Sequence, residues 1–301
     1  MNPNWLRRGM ALVLLFYLSI FFQGCAGPGV NGHDLRGGVG PAGSVVRSEF
    51  RFAMAEGNIL ITIGDRAIQG RMEMDGLQVK EEEVMALAEA QPARVKLRFV
   101  TDQMDTRQAI NGAMNSDSER GPLSGRTLIG NRAADRWSFQ LDRGIATPTQ
   151  AQAMRELELG FGQGFYPKEP VALGESWELP ATAVKQWLGH ELIRSQGTAR
   201  FTLESVTERG GERCAKVAVE INAGGRLNDP DGNELELSMG LEGHIYRSLE
   251  SHVDMAGELT GLMVLEGEVR RDGTVIGLKV TGPVKVTGSS RRHRPSTARA
   301  D

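Results

Sequence analysis

The sequence predicts a mainly β protein built as a curved antiparallel sheet or partly open barrel, with two or three short helices. Apolar residues alternate with polar ones at period two, and residue pairs typical of hairpin turns separate these runs. The 301 residues include 38 glycines and only 6% aromatics, a balance of kinked strands and frequent turns. With 40% hydrophobic and 24% charged residues the chain is an ordinary globular one. A formal charge of -3 gives nucleic acid no basic footprint, and two cysteines are too few for a disulfide scaffold or a four-cysteine zinc site.

Arg7 and Arg8 precede an uncharged apolar run from Gly9 to Phe22, after which the chain turns small and polar at Gln23, Gly24 and Cys25. This is the layout of a signal peptide, residues 1–24. As a helix the run reaches about 21 Å, short of the roughly 30 Å hydrocarbon core of a bilayer. Phe22-Gln23-Gly24-Cys25 resembles the lipobox of bacterial lipoproteins, with Phe22 in place of the usual Leu. The resemblance implies that Cys25 becomes a lipidated N-terminus carrying acyl chains such as palmitate, and two chains anchor stably where one does not. Ordinary cleavage after Ala26 is the alternative. Ala26 in second position is, by resemblance to Gram-negative lipoproteins, compatible with the outer membrane.

Residues 25–44 are glycine-rich, hold Pro28 and Pro41, and read as a flexible tether. Strands are expected at 46–55, 58–64, 67–74, 94–101, 125–130, 136–141, 198–206, 214–221, 235–241, 252–265 and 274–287. In the clearest of these, Ala215, Val217, Val219 and Ile221 face one way, as do Leu235, Leu237, Met239 and Leu241. Turns are expected at Glu56-Gly57-Asn58, Asp75-Gly76, Arg209-Gly210-Gly211, Asp231-Gly232-Asn233 and Asp272-Gly273-Thr274. Thr147-Pro148 opens a helix toward Gly160, Pro180 opens a short one toward Gly189, and Glu81 to Ala90 is a third. The β-rich domain spans 45–288, with two similar halves meeting near 170 as an open reading, and Ser289 to Asp301 reads as a disordered basic tail.

Pro170-Val-Ala-Leu-Gly-Glu-Ser-Trp177 resembles the Pro-Val-x-x-Gly-Asp/Glu-Ser-Trp segment of uncharacterised secreted β-rich lipoproteins. That resemblance implies a secreted β fold with no established activity. Gly174 suits a tight turn and Trp177 a core plug, with a binding-site tryptophan as the alternative. Ser176 lacks the second glycine of a hydrolase elbow. The five histidines never stand at i, i+4, and a metal pair of His244 and His252 would need a third ligand. Gly160 to Gly164 follows a helix, the wrong context for phosphate binding. The loop from Asp229 to Glu234 starts like a calcium loop but places its glycine at the fourth position. Glu156 with Glu158 and Glu175 with Glu178 read as charged faces. Cys214, in a strand, reads as a small buried hydrophobe.

The expectation is a membrane-anchored extracytoplasmic lipoprotein, non-enzymatic and without cofactor or metal. Its sheet would hold a lipid or other apolar ligand, as in the carriers of lipoprotein sorting, which it resembles in architecture and compartment. A structural or envelope-assembly lipoprotein working through protein or cell-wall contacts is the first alternative, and a hydrolase with unrecognised residues the second.

Overall fold

Alternation of side chains along unusually long strands governs the architecture. The protein is described by a computed structural model covering residues 32–36, 40–89, 91–133, 136–157, 159, 165–180, 183, 192–228, 232–271 and 273–293. The first strands are β1 (Val45–Ile63), β2 (Arg66–Ala88), β3 (Gln91–Ile110), β4 (Ala113–Arg120), β5 (Thr127–Ala133) and β6 (Arg136–Leu141). Helix α1 (Pro148–Glu156) follows. The chain then forms β7 (Ser176–Pro180), β8 (Leu192–Arg209), β9 (Glu212–Asn228), β10 (Glu234–Ser248), β11 (Asp254–Arg271) and β12 (Thr274–His293).

All twelve strands belong to one sheet, in the order β6-β5-β3-β2-β1-β12-β11-β10-β9-β8-β7. The pairings are antiparallel, as hairpin connections require. β4 and β5 share one edge of β3, taking Gln103–Ile110 and Arg94–Arg98 respectively. Among the described residues β6 and β7 end the sheet, which does not close. The segments before and after residue 170 thus form the two flanks of one sheet, joined where β1 meets β12.

Turn chemistry explains most hairpins. Arg209 pairs with Glu212 across Gly210 and Gly211, whose φ values are 60° and 82°. Ile110 pairs with Ala113 across Asn111 and Gly112, at φ 50° and 77°, the signature of a two-residue primed turn. The expected turns at 56–58 and 75–76 are not turns. Gly57 lies at a bulge inside β1, where the register with β2 slips between Met54 and Gly57. Gly76 lies mid-strand in β2, and a Cβ there would meet Met104 Cε at 2.7 Å. Both glycines make room for side chains of the core.

One helix is described among the expected two or three. α1 has a reciprocal cap: Gln150 N donates to Thr147 Oγ1 at 3.3 Å, and Thr147 N donates to Gln150 Oε1 at 3.0 Å. Its Met154, with Leu157 beyond it, packs on Val95, Leu97, Phe99 and Leu128. The expected helix over 81–90 is strand instead, because β2 continues to Ala88. Its registered pairs Glu82–Leu97 and Val84–Val95 put both residues inside, overriding the helical preference of a glutamate-rich string. Of the segment from Pro180 to Gly189, only Pro180, closing β7, and Ala183 are described.

Both supposed flexible ends are partly built into the sheet. His33 pairs with Val171, Leu35 is 1% exposed, and Gly43 N donates to Val84 O at 2.7 Å. β12 runs five residues past Gly288, pairing Ser289 to His293 with β1. The sequence's basic tail therefore begins no earlier than residue 294.

Candidate functional site

The sheet has one apolar face and one ion-paired face. Along β1, Phe50, Phe52, Met54, Ile59 and Ile61 turn inward, and the inward positions of β8 to β12 continue the same core. On the opposite face Arg47 meets Glu81 at 2.6 Å, Arg51 meets Asp75 at 3.1 Å, and Lys216 meets Glu204 at 2.8 Å. These exposed pairs contribute about 0–1 kcal/mol each and act mainly to keep that face wet.

Against this division, a group of polar residues turns inward. Register places Ser48 of β1 opposite Lys80 of β2, and Gln78 of β2 opposite Asp102 of β3, with Glu82 one inward position from Lys80. All five are buried, Lys80, Glu82 and Asp102 at 4%, 5% and 4% exposure. Gln78 Nε2 donates to Asp102 Oδ1 at 3.4 Å. Asp102 Oδ2 and Ser48 Oγ are buried and have no hydrogen-bond partner among the described residues. Each such orphan costs about 1–3 kcal/mol. Burial lowers the Lys80 ammonium to about 8, opposed by Glu82, and raises Glu82, opposed by Lys80. Burial likewise raises Asp102 to about 6 against the Gln78 hydrogen bond. We refer to these five residues as the polar island.

Next to the island on the same face lies a layer of methionine. Met104 follows Asp102 by one inward position, Met54 pairs with Met74 one step further, and Met72 lies beyond. All four are 5% exposed or less. Two of them lie across glycines: Met104 Cε covers Gly76, and Met54 Sδ is 2.5 and 2.9 Å from where Cβ atoms of Gly57 and Gly282 would stand. Thr106, beside Met74, has a second orphaned hydroxyl.

A third buried group closes the end of the sheet. Arg247, with no exposed surface, donates through Nη1 to Asp254 Oδ1 at 3.1 Å and through Nη2 to Arg36 O at 3.0 Å, and its Nε bonds Leu35 O. This group clasps the stretch 32–36 to β10.

The residues singled out in the sequence fall elsewhere. Cys25 lies outside the described residues, as does the stretch from Gly160 to Gly164. Trp177 is half-buried, stacks on Phe201 with centroids 5.5 Å apart, and donates from Nε1 to Phe165 O at 2.8 Å, which fits a core plug. Ser176 is exposed and bonds Thr202 Oγ1 at 2.8 Å. Glu175 closes its turn by accepting from Ala172 N at 2.8 Å. His244 contacts Glu204 at 3.1 Å on the outer face, while His252 occupies a turn at φ 52°. Among the described residues no three His, Cys, Asp or Glu side chains gather as metal ligands. Cys214 is fully buried, as expected of a small hydrophobe. The island itself escaped sequence reading, because Lys80 to Glu83 is an unbroken charged run that hides which residues point inward.

No described helix is long and apolar enough to cross a membrane. No known protein family matches the chain, and no curated protein matches it. Among solved structures it is similar to lipovitellin, described for its lipid–protein interactions, at 11% identity and a TM-score of 0.39, over 86% of this chain. The chain spans 26% of the lipovitellin chain. It is also similar to an outer-membrane channel from Pseudomonas putida F1, at 11% identity and TM-score 0.26, over 89% of this chain and 100% of that one. A third is the translocator domain of the autotransporter NalP from Neisseria meningitidis, at 10% identity and TM-score 0.21, over 83% and 89% of the two chains. At these scores the likenesses define no family and carry no function.

Proposed function

We propose that the protein is a membrane-anchored extracytoplasmic lipoprotein, held by lipid on Cys25, whose sheet binds a lipid or other apolar ligand on its inner face without catalysing a reaction. One observation supports the reading above the rest. A polar island with two orphaned atoms sits inside a largely apolar face, at a cost of several kcal/mol. Natural cores keep such groups where a partner arrives from outside. The adjoining methionine layer suits an apolar guest, because unbranched thioethers repack around different shapes.

The test is extraction of the purified full-length protein, followed by mass spectrometry and by titration with an oleoyl-chain fluorescent probe. Acyl-bearing molecules at near-equal molar ratio, beyond those bonded to Cys25, together with saturable probe binding, are the expected result. A lipid-free protein that ignores the probe would defeat the reading. The edges of β6 and β7, unpaired among the described residues, favour envelope-assembly contacts as a second reading, since open strand edges template pairing with another chain.

A further inference from the structure

We infer that the polar island holds the hydroxyl-bearing, uncharged head of an amphiphile whose chain lies along the neighbouring methionine layer. The inference rests on the apolar-ligand reading above and narrows it to a class of head group.

The register fixes the layout. Ser48 on β1 and Asp102 on β3 stand on either side of Gln78 and Lys80 of β2, all turned to the same face. From the Gln78 level to the Met72 level the strands advance six residues, about 20 Å, and this stretch of the face holds Met54, Met72, Met74 and Met104. The charged groups and Gln78 lie at one end of this stretch, and beside the methionines β2 and β3 add only Thr106 and Gln108 as buried polar groups, so a guest with one polar end and one apolar end fits best with its head on the island.

The orphaned atoms choose the head. When ionised, Asp102 Oδ2 can only accept, whereas Ser48 Oγ can donate or accept. A head with two or more hydroxyls gives a proton to the first and pairs with the second in either sense. An ionised carboxylate or phosphate head has no proton to give, and it would face Glu82 as well as Asp102. An ammonium head could give a proton to Asp102, but it brings a second cation beside Lys80 into a site removed from water, a desolvation cost that an uncharged head does not carry. A bare hydrocarbon leaves both orphans as they are. The methionines accommodate the chain because Met54 lies across Gly57 and Gly282 and Met104 across Gly76, where flexible thioethers can shift without displacing backbone.

The experiment compares four probes on the full-length protein: 1-oleoylglycerol, oleate, oleylamine and methyl oleate. Binding is read by displacement of a fluorescent acyl probe, for wild type and for Ser48→Ala and Asp102→Asn. Oleoylglycerol is expected to bind about tenfold tighter than the other three. Each substitution should bring it down to the level of methyl oleate while leaving methyl oleate itself unchanged. Both substitutions are nearly isosteric, and Ser48→Ala deletes an unsatisfied group, so folded variants are expected and a thermal melt verifies them. If all four bind alike, or if the variants keep the preference, the head-group assignment falls while the apolar-ligand reading stands. Tighter binding of oleate or oleylamine overturns it in favour of a charged head. Binding of none of the four defeats both.

Discussion

Arg247 and Tyr166 bind the same oxygen. The Arg247 guanidinium reaches Asp254 Oδ1 at 3.1 Å, the Tyr166 hydroxyl donates to it at 2.9 Å, and the guanidinium carbon lies 4.3 Å above the Tyr166 ring. Burial raises both Asp254 and Tyr166, and at Asp254 it is opposed by Arg247 and by the Tyr166 hydrogen bond. Replacing Arg247 with Met leaves a buried carboxyl group without its cation, held only by Tyr166, and frees the carbonyls of Leu35 and Arg36. The expected loss is about 3–5 kcal/mol in denaturant unfolding. Protease access near residues 32–36 should rise with it. Arg247→Lys should not rescue either property, since an ammonium cannot span three acceptors as a planar fork does.

Trp177 links β7 to the loop before it. Its ring stacks on Phe201 of β8 and its indole proton is spent on Phe165 O. Trp177→Ala removes both and should cost about 3 kcal/mol, the low end for a large aromatic because the residue is half-buried. Trp177→Phe, keeping the stack and losing one hydrogen bond, should cost about 1 kcal/mol. A melt unchanged in both variants would place the ring outside the core.

Much of this fold could be read from residues, and the failures have common causes. Val217, Val219 and Ile221 declared β9 by alternation, and Gly210-Gly211 declared its hairpin. Asn111-Gly112 carried an equally strong turn signal that lay between polar stretches and so drew no notice. The glycines at 57 and 76 looked like turns because sequence cannot distinguish a glycine that bends the backbone from one that makes room for Met54 or Met104. The island was illegible for a related reason. Lys80-Glu81-Glu82-Glu83 gives no polarity contrast, and only pairing with β1 and β3 decides that Lys80 and Glu82 point inward while Glu81 meets Arg47 and Arg98 outside.

Stability should depend on pH through buried Asp102 and half-buried His252, which act in opposite directions. Asp102 titrates near 6 when folded and 3.8 when unfolded, so the folded state holds more protons between these values and stability falls as pH rises through them. The difference is worth up to about 3 kcal/mol. His252 is held down to about 4 by burial and by Arg247, so its contribution is present above 6.5 and is lost as pH falls toward 4. Asp102→Asn should gain on wild type as pH is raised from 4 to 7. His252→Asn should gain on it as pH is lowered over the same range, helped by the tolerance of Asn for φ 52°. Melting curves of the three proteins at several pH values test both slopes, and parallel curves would refute them.

The proposed anchor is tested at Cys25. Expressed in a bacterial host, the full chain should partition into detergent, and Cys25→Ser should return it to the aqueous phase. Two acyl chains bind stably where none leaves only the body's own affinity. An aqueous wild type that begins at Gly27, after cleavage following Ala26, would replace lipidation with ordinary secretion.

Truncation distinguishes the basic tail from the last strand. Ending the chain after Gly288 removes the pairs from Glu49–Ser289 to Val45–His293, together with buried Ser290 and the inward Arg292. It also exposes one edge of β1, whose other edge stays on β2. Five lost residue pairs and a newly opened apolar row beside Val46 should lower the melting temperature by several degrees or more. Ending after His293 keeps every described pair between β1 and β12 and should leave the melt unchanged. Near an anionic bilayer each arginine is worth up to about 1 kcal/mol, and salt weakens this. The longer truncation product should therefore keep its fold while binding anionic vesicles less well at low ionic strength. Loss of stability on ending after His293 would mean that the tail, too, is part of the sheet.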